Sequence, residues 1–389
     1  MKRYNRWFEY TQEFVENCIF KCLANGSKWT RKDVSYFFAE YAIKFNKTDL
    51  DLHKAAIYYR KIAKEDKTKL FELIHLISID LFDELNEKRI ELKPIVYQER
   101  VDESSGKLRE IGLASIKQQV YDYVAVESCK NMFLAKIGPY QCASLPGKGQ
   151  VYGKKALEKW LKNKPNTTKY AFKCDIKKYY PSIKHDILKS KLKRNIKNED
   201  INYLLGVLID SYGEQGLCIG SYLSQYLANY YLSYACHYAS EVLHHDIKHI
   251  LFYMDDIILF SHDKEYLKRG INIFYDYIYD ELGLEIKDKN SLFLVDNYLI
   301  DMMGYRISRD KTIIRKRIFL KARKLFIKYK DPNKLMSLNT TRKIVSYYGY
   351  FKNSNSNYFQ KKYKVQRTLK RAKGVISNAS KIHGSTTWL

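Results

Sequence analysis

The sequence predicts an α+β fold in which a short antiparallel sheet is surrounded by helices. Within residues 250–260, two runs rich in Ile, Leu and Phe flank the polar pair Asp255 and Asp256, a pattern typical of two buried strands joined by a tight turn. Another short apolar run ends at Asp175 and predicts a third strand. Residues 1–95 instead repeat apolar side chains every three or four positions, which indicates helices.

The acidic residues of these strands predict a metal-dependent reaction. Two adjacent carboxylates against an apolar sheet cost desolvation and charge repulsion unless a cation neutralises them. Asp175 lies far from Asp255 and Asp256 in the sequence, but two strands of one antiparallel sheet would bring it to them. Hard oxygen ligands suit Mg²⁺, and two such ions roughly 3.5–4 Å apart clamp the attacking and leaving oxygens of a phosphoryl transfer.

Composition indicates a large basic protein with a polyanionic partner. The chain has 389 residues, more than the about 250–300 at which one core stops growing, so several subdomains are expected. Lys and Arg number 69 against 43 acidic residues, a net charge of +26. Such an excess favours binding to nucleic acid, with an affinity that falls as salt rises. A membrane surface would also fit this charge, but the basic residues are spread along the whole chain.

Cysteine usage and hydropathy predict a cytoplasmic protein. The seven cysteines are scattered and form no Cys-x-x-Cys pair, which indicates reduced, mostly buried thiols. The first residues lead into polar sequence, so no signal peptide is expected. The longest apolar stretch, near residues 73–82, carries His75 and Asp80 and is too short to span a bilayer. No membrane partner is therefore expected.

Local patterns place further elements along the chain. Two extended runs flank the polar turn 102–106 and predict a hairpin, with Lys107 and Arg109 on one face. Pro181 is expected to end an extended segment that follows Asp175. Residues beyond about 311 are basic and largely helical. Other helices are predicted at 118–131, 154–163, 221–244 and 264–282.

Motifs in a fixed order resemble those of reverse transcriptases. They are Lys107-x-Arg109, Phe172-x-x-Asp175-Ile176-x-x-Tyr179-Tyr180-Pro181-Ser182-Ile183, Gly220-x-x-x-Ser224-Gln225-x-Leu227-Ala228-Asn229-x-Tyr231-Leu232, Tyr253-Met254-Asp255-Asp256 and Met303-Gly304-Tyr305. The likeness runs from about residue 97 to about residue 317. An Asp-Asp pair alone is common, but several motifs in the right order are far more specific.

The resemblance implies the fold of a right-hand polymerase, with an antiparallel palm sheet and helices behind it. The implied domains are a helical N-terminal extension, fingers, a palm that includes some fingers helices near 196–215, and a basic helical thumb with a C-terminal tail. Their expected bounds are 1–95, 96–170, 171–305 and 306–389, respectively. The implied enzyme is an RNA-directed DNA polymerase, a nucleotidyltransferase.

The resemblance also assigns site residues. Asp175, Asp255 and Asp256 would be the catalytic triad that holds two Mg²⁺ ions, with Mn²⁺ as an alternative metal. The remaining positions would bind substrate. Lys107 and Arg109 would clamp the triphosphate, Tyr180 would act as the steric gate against ribonucleotides, and Gly220 would let the backbone approach the nascent base pair. Ile219, Gln225 and Lys289 complete this set.

Two departures from the family pattern favour a subgroup. Most members have Gln where Ile219 stands and Pro where Gln225 stands, whereas this arrangement resembles the reverse transcriptases of diversity-generating retroelements, which copy RNA with errors at adenines. The family often has a Lys, a candidate acid for pyrophosphate, where Asn290 falls in this chain, and Lys289 is the candidate substitute. For Tyr180, the alternative to a steric gate is simple packing in the core.

Several functions remain open on the sequence. One is a diversity-generating polymerase, another a phage-defence reverse transcriptase that makes special cDNA on a noncoding RNA, and a third a non-catalytic RNA-binding scaffold with the same fold. Expected partners are a template RNA, the cDNA product, deoxynucleoside triphosphates, a dedicated noncoding RNA and an accessory protein.

Overall fold

The computed structural model describes residues 4–24, 27–101, 106, 108–288 and 291–382. The chain divides into two compact units. The first unit comprises Met1–Gly138, Ile176–Ala235 and Tyr275–Ile286. The second unit comprises Pro139–Asp175, Cys236–Phe274 and Lys287–Leu389.

Runs of helices and runs of antiparallel strands follow one another along these ranges. The helices are α1 (Gln12–Leu23), α2 (Lys32–Lys44), α3 (Leu52–Glu65), α4 (Phe71–Asn86), α5 (Ile116–Lys136), α6 (Gln150–Asn163), α7 (Tyr179–Ser182), α8 (His185–Asn195), α9 (Glu199–Asp210), α10 (Tyr222–Glu241), α11 (Lys264–Leu282), α12 (Lys316–Lys328), α13 (Leu338–Lys352), α14 (Asn357–Lys362) and α15 (Val365–Ile382). The strands are β1 (Val96–Val101), β2 (Leu108–Leu113), β3 (Tyr170–Asp175), β4 (His249–Tyr253), β5 (Asp256–Ser261), β6 (Ser291–Leu294), β7 (Ile300–Met302), β8 (Tyr305–Ile307) and β9 (Thr312–Ile314). The predicted α+β architecture is confirmed.

The first unit begins with four helices, as the apolar spacing predicts. Cys18, Cys22 and Leu23 on α1 are buried, because they recur on one face of the helix. Asp51 caps α3 by accepting a hydrogen bond from the amide of Lys54. The predicted hairpin of β1 and β2 follows and pairs in antiparallel register.

The second unit contains a four-stranded antiparallel sheet in the order β4-β5-β3-β6. Strand β5 lies between β4 and β3, and its residues Ile257, Ile258 and Leu259 are fully buried, because both neighbouring strands and both faces are covered. The ring of Trp160 from α6 packs edge-on against Phe260. The aspartates therefore stand at the end of a rigid, buried strand pair.

A second, three-stranded sheet of β7, β8 and β9 lies in the same unit. Its first turn is formed by Met303 and Gly304, whose φ angles are positive, at 55° and 79°, respectively. Two such residues between paired strands are typical of a tight hairpin turn. The amide of Gln150 donates a hydrogen bond to the carbonyl oxygen of Met303 and fixes the turn to α6.

The C-terminal helices α12 to α15 have their own core. Phe326, Phe351 and Phe359 pack together, with the rings of Phe351 and Phe359 stacked at 4.9 Å. Lysines and arginines of α12, among them Lys316 and Arg323, are exposed. The prediction of a basic helical region is confirmed.

Most predicted helices are confirmed to within a few residues, and the predicted bounds of α11 match at both ends. One local prediction was wrong. The segment Tyr179–Ser182 is a short helix rather than the end of an extended run. Lys178 before it adopts a left-handed backbone at φ 45°, which turns the chain out of the strand direction.

All seven cysteines are buried as free thiols. The predicted burial of the thiols is thus confirmed. Among the helices of the described ranges, none is both long and apolar enough to cross a membrane.

Candidate active site

Asp175 and Asp256 are direct partners on neighbouring strands. Antiparallel pairing of β3 with β5 sets Asp175, the last residue of β3, opposite Asp256, the first residue of β5. Directly opposite residues in such a ladder have Cα atoms about 4.5–5.5 Å apart. The fold thus brings together two carboxylates that the sequence separates widely.

Asp255 lies in the turn beside them. Tyr253 pairs with Asp256, so Met254 and Asp255 form the two-residue loop between β4 and β5. Met254 has a φ of 55°, the left-handed conformation that tight hairpin turns require. The predicted turn is therefore confirmed, and all three candidate aspartates are half-buried at one end of the sheet in the second unit.

Asp256 forms an ion pair with Lys173. The ammonium of Lys173 lies 2.6 Å from Oδ1 of Asp256, and both side chains are largely buried. Burial raises the pKa of Asp256 to about 6, the charges of Asp175 and Asp255 act in the same direction, and Lys173 opposes them. The local environment therefore penalises the charged carboxylates and would favour a further cation.

Asp175 also contacts a lysine. Nζ of Lys287 lies 3.4 Å from Oδ2 of Asp175, and the backbone amide of Lys287 donates to the carbonyl oxygen of Asp175 at 2.9 Å. Sequence reasoning chose Lys289 for this neighbourhood, and that residue lies outside the described ranges. The backbone hydrogen bond fixes the chain at Lys287 next to the aspartate.

The donor set fits a divalent ion. Three carboxylates offer hard oxygen ligands. The buried Oδ1 of Asp256 has the ammonium of Lys173 2.6 Å away, but no residue in the described part of the chain gives it an aligned hydrogen bond. Within those same ranges, however, no three His, Cys, Asp or Glu side chains are already gathered into a metal cluster. Asp175 and Asp256 contact lysines instead, so metal binding would require these carboxylates to turn toward a shared ion.

The hairpin of the first unit carries an arginine pair. Arg109 on β2 stands directly opposite Arg100 on β1, and both are exposed. Like charges in directly opposite positions repel each other, so an anion on this face would relieve the repulsion. Lys107, the predicted companion of Arg109, lies outside the described residues.

The loop that carries Ile219 and Gly220, both predicted substrate-binding residues, is joined to this hairpin. The amide of Gly112 on β2 donates to the carbonyl oxygen of Ile219 at 2.8 Å. Gly220 has a φ of 122°, and a Cβ added there would lie 2.6 Å from the carbonyl oxygen of Gly112. Only glycine fits this close approach, which is the physical reason for the residue at position 220.

Tyr180 is attached to the same loop through its backbone. Its carbonyl oxygen accepts a hydrogen bond from the amide of Leu217 at 2.9 Å. The side chain is half-buried, and its ring meets Tyr179 edge-on at 5.8 Å. Gln225 lies half-buried in the first turn of α10, a few residues after Gly220. The described substrate-binding candidates therefore all lie in the first unit.

Sequence reasoning missed three of the charged groups at these sites. Lys173 stands two residues before Asp175 on β3, so the two-residue period of a strand places both on one face. Arg100 is found only from the pairing of β1 with β2. Lys287 could be assigned only from the contact between its backbone and Asp175.

A family model matches the region that carries the candidate site. Residues 100–307, more than half of the chain, match the family model described as reverse transcriptase (RNA-dependent DNA polymerase). No curated protein matches the chain. Among solved structures, it is similar to telomerase from Candida albicans in complex with a TWJ fragment of telomeric RNA, at 12% identity and a TM-score of 0.43. That match covers 74% of this chain, and this chain spans only 61% of the telomerase chain.

The chain belongs to the reverse transcriptase (RNA-dependent DNA polymerase) family. Its fold is that of the family, with mixed helices and antiparallel sheets after a helical N-terminal region. Members are nucleotidyltransferases, and their domains generally use divalent metal ions.

Proposed function

We propose that this protein is an RNA-templated DNA polymerase that extends a primer with deoxynucleotides. The register that sets Asp175 opposite Asp256, with Asp255 in the adjoining turn, is the observation that supports it most strongly. These three residues would hold two Mg²⁺ ions, with Mn²⁺ as an alternative. Bound divalent ions would lower the pKa of the primer 3′-hydroxyl and neutralise the charge on the departing pyrophosphate.

Residues of the first unit would bind and select the nucleotide. The exposed guanidinium groups of Arg100 and Arg109 suit two-pronged contacts with a triphosphate, as expected also of Lys107. The ring of Tyr180 would lie beneath the sugar and exclude a 2′-hydroxyl. Gly220 would let the backbone contact the nascent base pair.

A lysine near the triad would complete the chemistry. Lys287, whose ammonium lies 3.4 Å from Asp175, is the described candidate to donate a proton to pyrophosphate. Sequence reasoning proposed Lys289 for that role. Separate Lys287→Met and Lys289→Met variants would distinguish them, because only loss of the acid should remove the solvent isotope effect on nucleotide addition.

Primer extension on an RNA template with Mg²⁺ tests the catalytic assignment. Asp255→Asn should reduce nucleotide addition about a thousandfold or more, as losses of essential groups do, while RNA binding persists. Asp276→Asn, which removes an exposed carboxylate of α11, is the matched control and should keep full activity. Normal extension by Asp255→Asn would refute the assignment. An unaltered chain that binds RNA without extending a primer would favour the non-catalytic scaffold.

We further propose that the polymerase serves a diversity-generating retroelement. The aliphatic Ile219 supports this role, because it supplies no hydrogen-bonding side chain next to Gly220 for checking the incoming base. Its backbone carbonyl is already used by Gly112, so the side chain can change without loss of that bond. The alternative is a phage-defence enzyme that makes special cDNA on a noncoding RNA.

Sequencing of the cDNA separates these two roles. Scattered changes at template adenines support diversification, whereas repeats or homopolymers support defence. Ile219→Gln should lower the error frequency at adenines, and Ile219→Leu, which stays aliphatic, should leave it unchanged. An identical error spectrum in the Gln variant would remove Ile219 from base checking.

The proposed partners follow from charge and reaction class. A net charge of +26 supports binding of template RNA, the DNA product and deoxynucleoside triphosphates. A dedicated noncoding RNA and an accessory protein are proposed as further partners, with a cytoplasmic location supported by the buried free thiols. RNA affinity that does not fall with rising salt would contradict the electrostatic part of this proposal.

A further inference from the structure

A buried aspartate lies under the start of α10, outside the triad. Asp122 on α5 is fully buried, and its Oδ2 accepts hydrogen bonds from the hydroxyl of Ser221 at 2.7 Å and from the amide of Tyr222 at 3.1 Å. These donors belong to the residues that directly follow Gly220. Both belong, with Asp122, to the first unit.

The Asp122 contact completes a cap on α10. The hydroxyl oxygen of Ser221 accepts from the amide of Ser224 at 3.1 Å, so this side chain satisfies one of the free amides of the first helical turn. Asp122 satisfies the amide of Tyr222, another of the amides that this first turn leaves free. The hydroxyl of Tyr212 also lies 3.0 Å from Ser221. The loop end is therefore held by α5.

The same loop is tied at two other points. Gly112 binds the carbonyl of Ile219, and Leu217 binds the carbonyl of Tyr180. Gly220 packs so close to this strand that an added Cβ would lie 2.6 Å from the carbonyl oxygen of Gly112. A displacement of the loop end at Ser221 would therefore be transmitted through Ile219 to the arginine-bearing hairpin and through Leu217 to Tyr180.

A carboxylate at position 122 is energetically costly, because it is fully buried. Burial raises the pKa of Asp122 to about 7, although the donors from Ser221 and Tyr222 act in the opposite direction. No described residue gives its Oδ1 a hydrogen bond. An uncharged acceptor such as asparagine could make the same two contacts at a lower desolvation cost.

We propose that Asp122 is a positioning residue that fixes the Ile219–Gly220 loop and thereby sets how strictly the enzyme selects incoming deoxynucleotides. The inference rests on the proposed polymerase function for its consequence. Its structural part, the fixation of the loop, stands independently of that function. Asp122 acts through Ser221 and Tyr222 and touches no substrate itself.

Three variants test the proposal in the full-length chain. Asp122→Ala removes the acceptor, whereas Asp122→Asn keeps an oxygen for Ser221 and Tyr222 and places its amide nitrogen where Oδ1 lacks a partner. Asn195→Ala is the matched control, because Asn195 is equally buried and binds the middle of α10 through the hydroxyls of Tyr230 and Tyr234.

Steady-state kinetics give the first readout. Asp122→Ala should raise KM for deoxynucleotides about tenfold, with a matching rise in misincorporation, whereas kcat should fall less than about threefold. Asp122→Asn should stay within about twofold of the unaltered enzyme, as rescue by a remaining acceptor predicts. Asn195→Ala should lose stability but keep KM.

Amide hydrogen exchange gives a readout that needs no activity. Asp122→Ala should speed exchange at Tyr222 and Ser224, and Asn195→Ala should leave these amides protected. Unchanged exchange and unchanged KM in a folded Asp122→Ala would overturn the proposal, as would an equal KM increase in Asn195→Ala. If the unaltered chain extends no primer, the polymerase function fails, and exchange alone decides whether Asp122 fixes the loop.

Discussion

Lys173 lies 2.6 Å from Asp256 and supplies a cation inside the carboxylate cluster. It stands on the same strand as Asp175 and diagonally across from Asp256, within reach of a long side chain. The ammonium offsets part of the repulsion among the three aspartates. A bound metal ion would compete with this lysine for the same oxygen atoms.

This competition leads to a prediction for Lys173→Met. Without divalent ions, the variant should lose about 1–3 kcal/mol of unfolding free energy, because Asp256 is left without its ion pair. Added Mg²⁺ should raise its unfolding midpoint more than that of the unaltered protein, since no internal cation competes. Urea unfolding with and without Mg²⁺ measures both effects.

Lys177→Met is the control for that measurement. Lys177 pairs with Glu285 at 2.8 Å, but both side chains are exposed, and such pairs contribute about 0–1 kcal/mol. An identical Mg²⁺ response in both lysine variants would contradict competition at Asp256. Loss of the Mg²⁺ response in Asp175→Asn would separately support the metal assignment.

Tyr180→Ala should relax discrimination against ribonucleotides by about tenfold or more, because removal of a ring that excludes a hydroxyl opens the space beneath the sugar. Tyr180→Phe keeps the ring and should retain discrimination. The measurement is the ratio of kcat/KM for matched deoxynucleotides and ribonucleotides. Equal ratios in all three proteins would leave Tyr180 with a packing role alone.

Arg100→Ala should raise KM for deoxynucleotides about tenfold, since charge-assisted hydrogen bonds to phosphate are among the stronger polar contacts. Glu99→Gln is the control, because Glu99 lies on the same strand but on the opposite face of the hairpin. Nucleotide titrations at fixed primer and template provide the values. If KM is the same in Arg100→Ala as in the unaltered enzyme, the arginine pair is not a triphosphate site.

Asp122→Asn should flatten the pH dependence of stability. The pKa of Asp122 is raised from 3.8 to about 7 in the folded chain, so its favourable contribution is complete below the unfolded value and is lost as pH rises through about 7. The slope for one proton is at most about 1.4 kcal/mol per pH unit. Urea unfolding between pH 5 and 8 should show a steeper slope in the unaltered protein than in Asp122→Asn, because Asp256, whose pKa is raised to about 6, contributes equally to both.

Groups near Asp122 do not mimic that slope. Burial raises the pKa of the nearby thiols and phenols, which keeps them from titrating between pH 5 and 8. These groups are Cys22, Tyr123, Tyr212 and Cys218. The charged neighbour of Asp122 on the N-terminal segment is Lys28. Equal slopes in both proteins would mean that Asp122 does not bind the proton.

Hydrophobic patterns in the sequence predicted secondary structure correctly where residues close in sequence decide it. The apolar runs around Asp255 predicted the two strands and their turn, and the three- and four-residue spacing predicted α11 to both of its ends. Short helices are harder, because Tyr179–Ser182 contains too few residues for a period to be visible. There the left-handed backbone of Lys178 decided the direction of the chain.

The sequence by itself determined the α+β class and the strands that carry the candidate carboxylates. Those features follow from hydrophobic period and turn geometry, which act over a few residues. Only the tertiary structure decided that Asp256 pairs with Lys173, that Arg100 faces Arg109 and that Asp122 holds Ser221. Strand register and helix packing set those contacts, because both are properties of segments that meet only after the chain has folded.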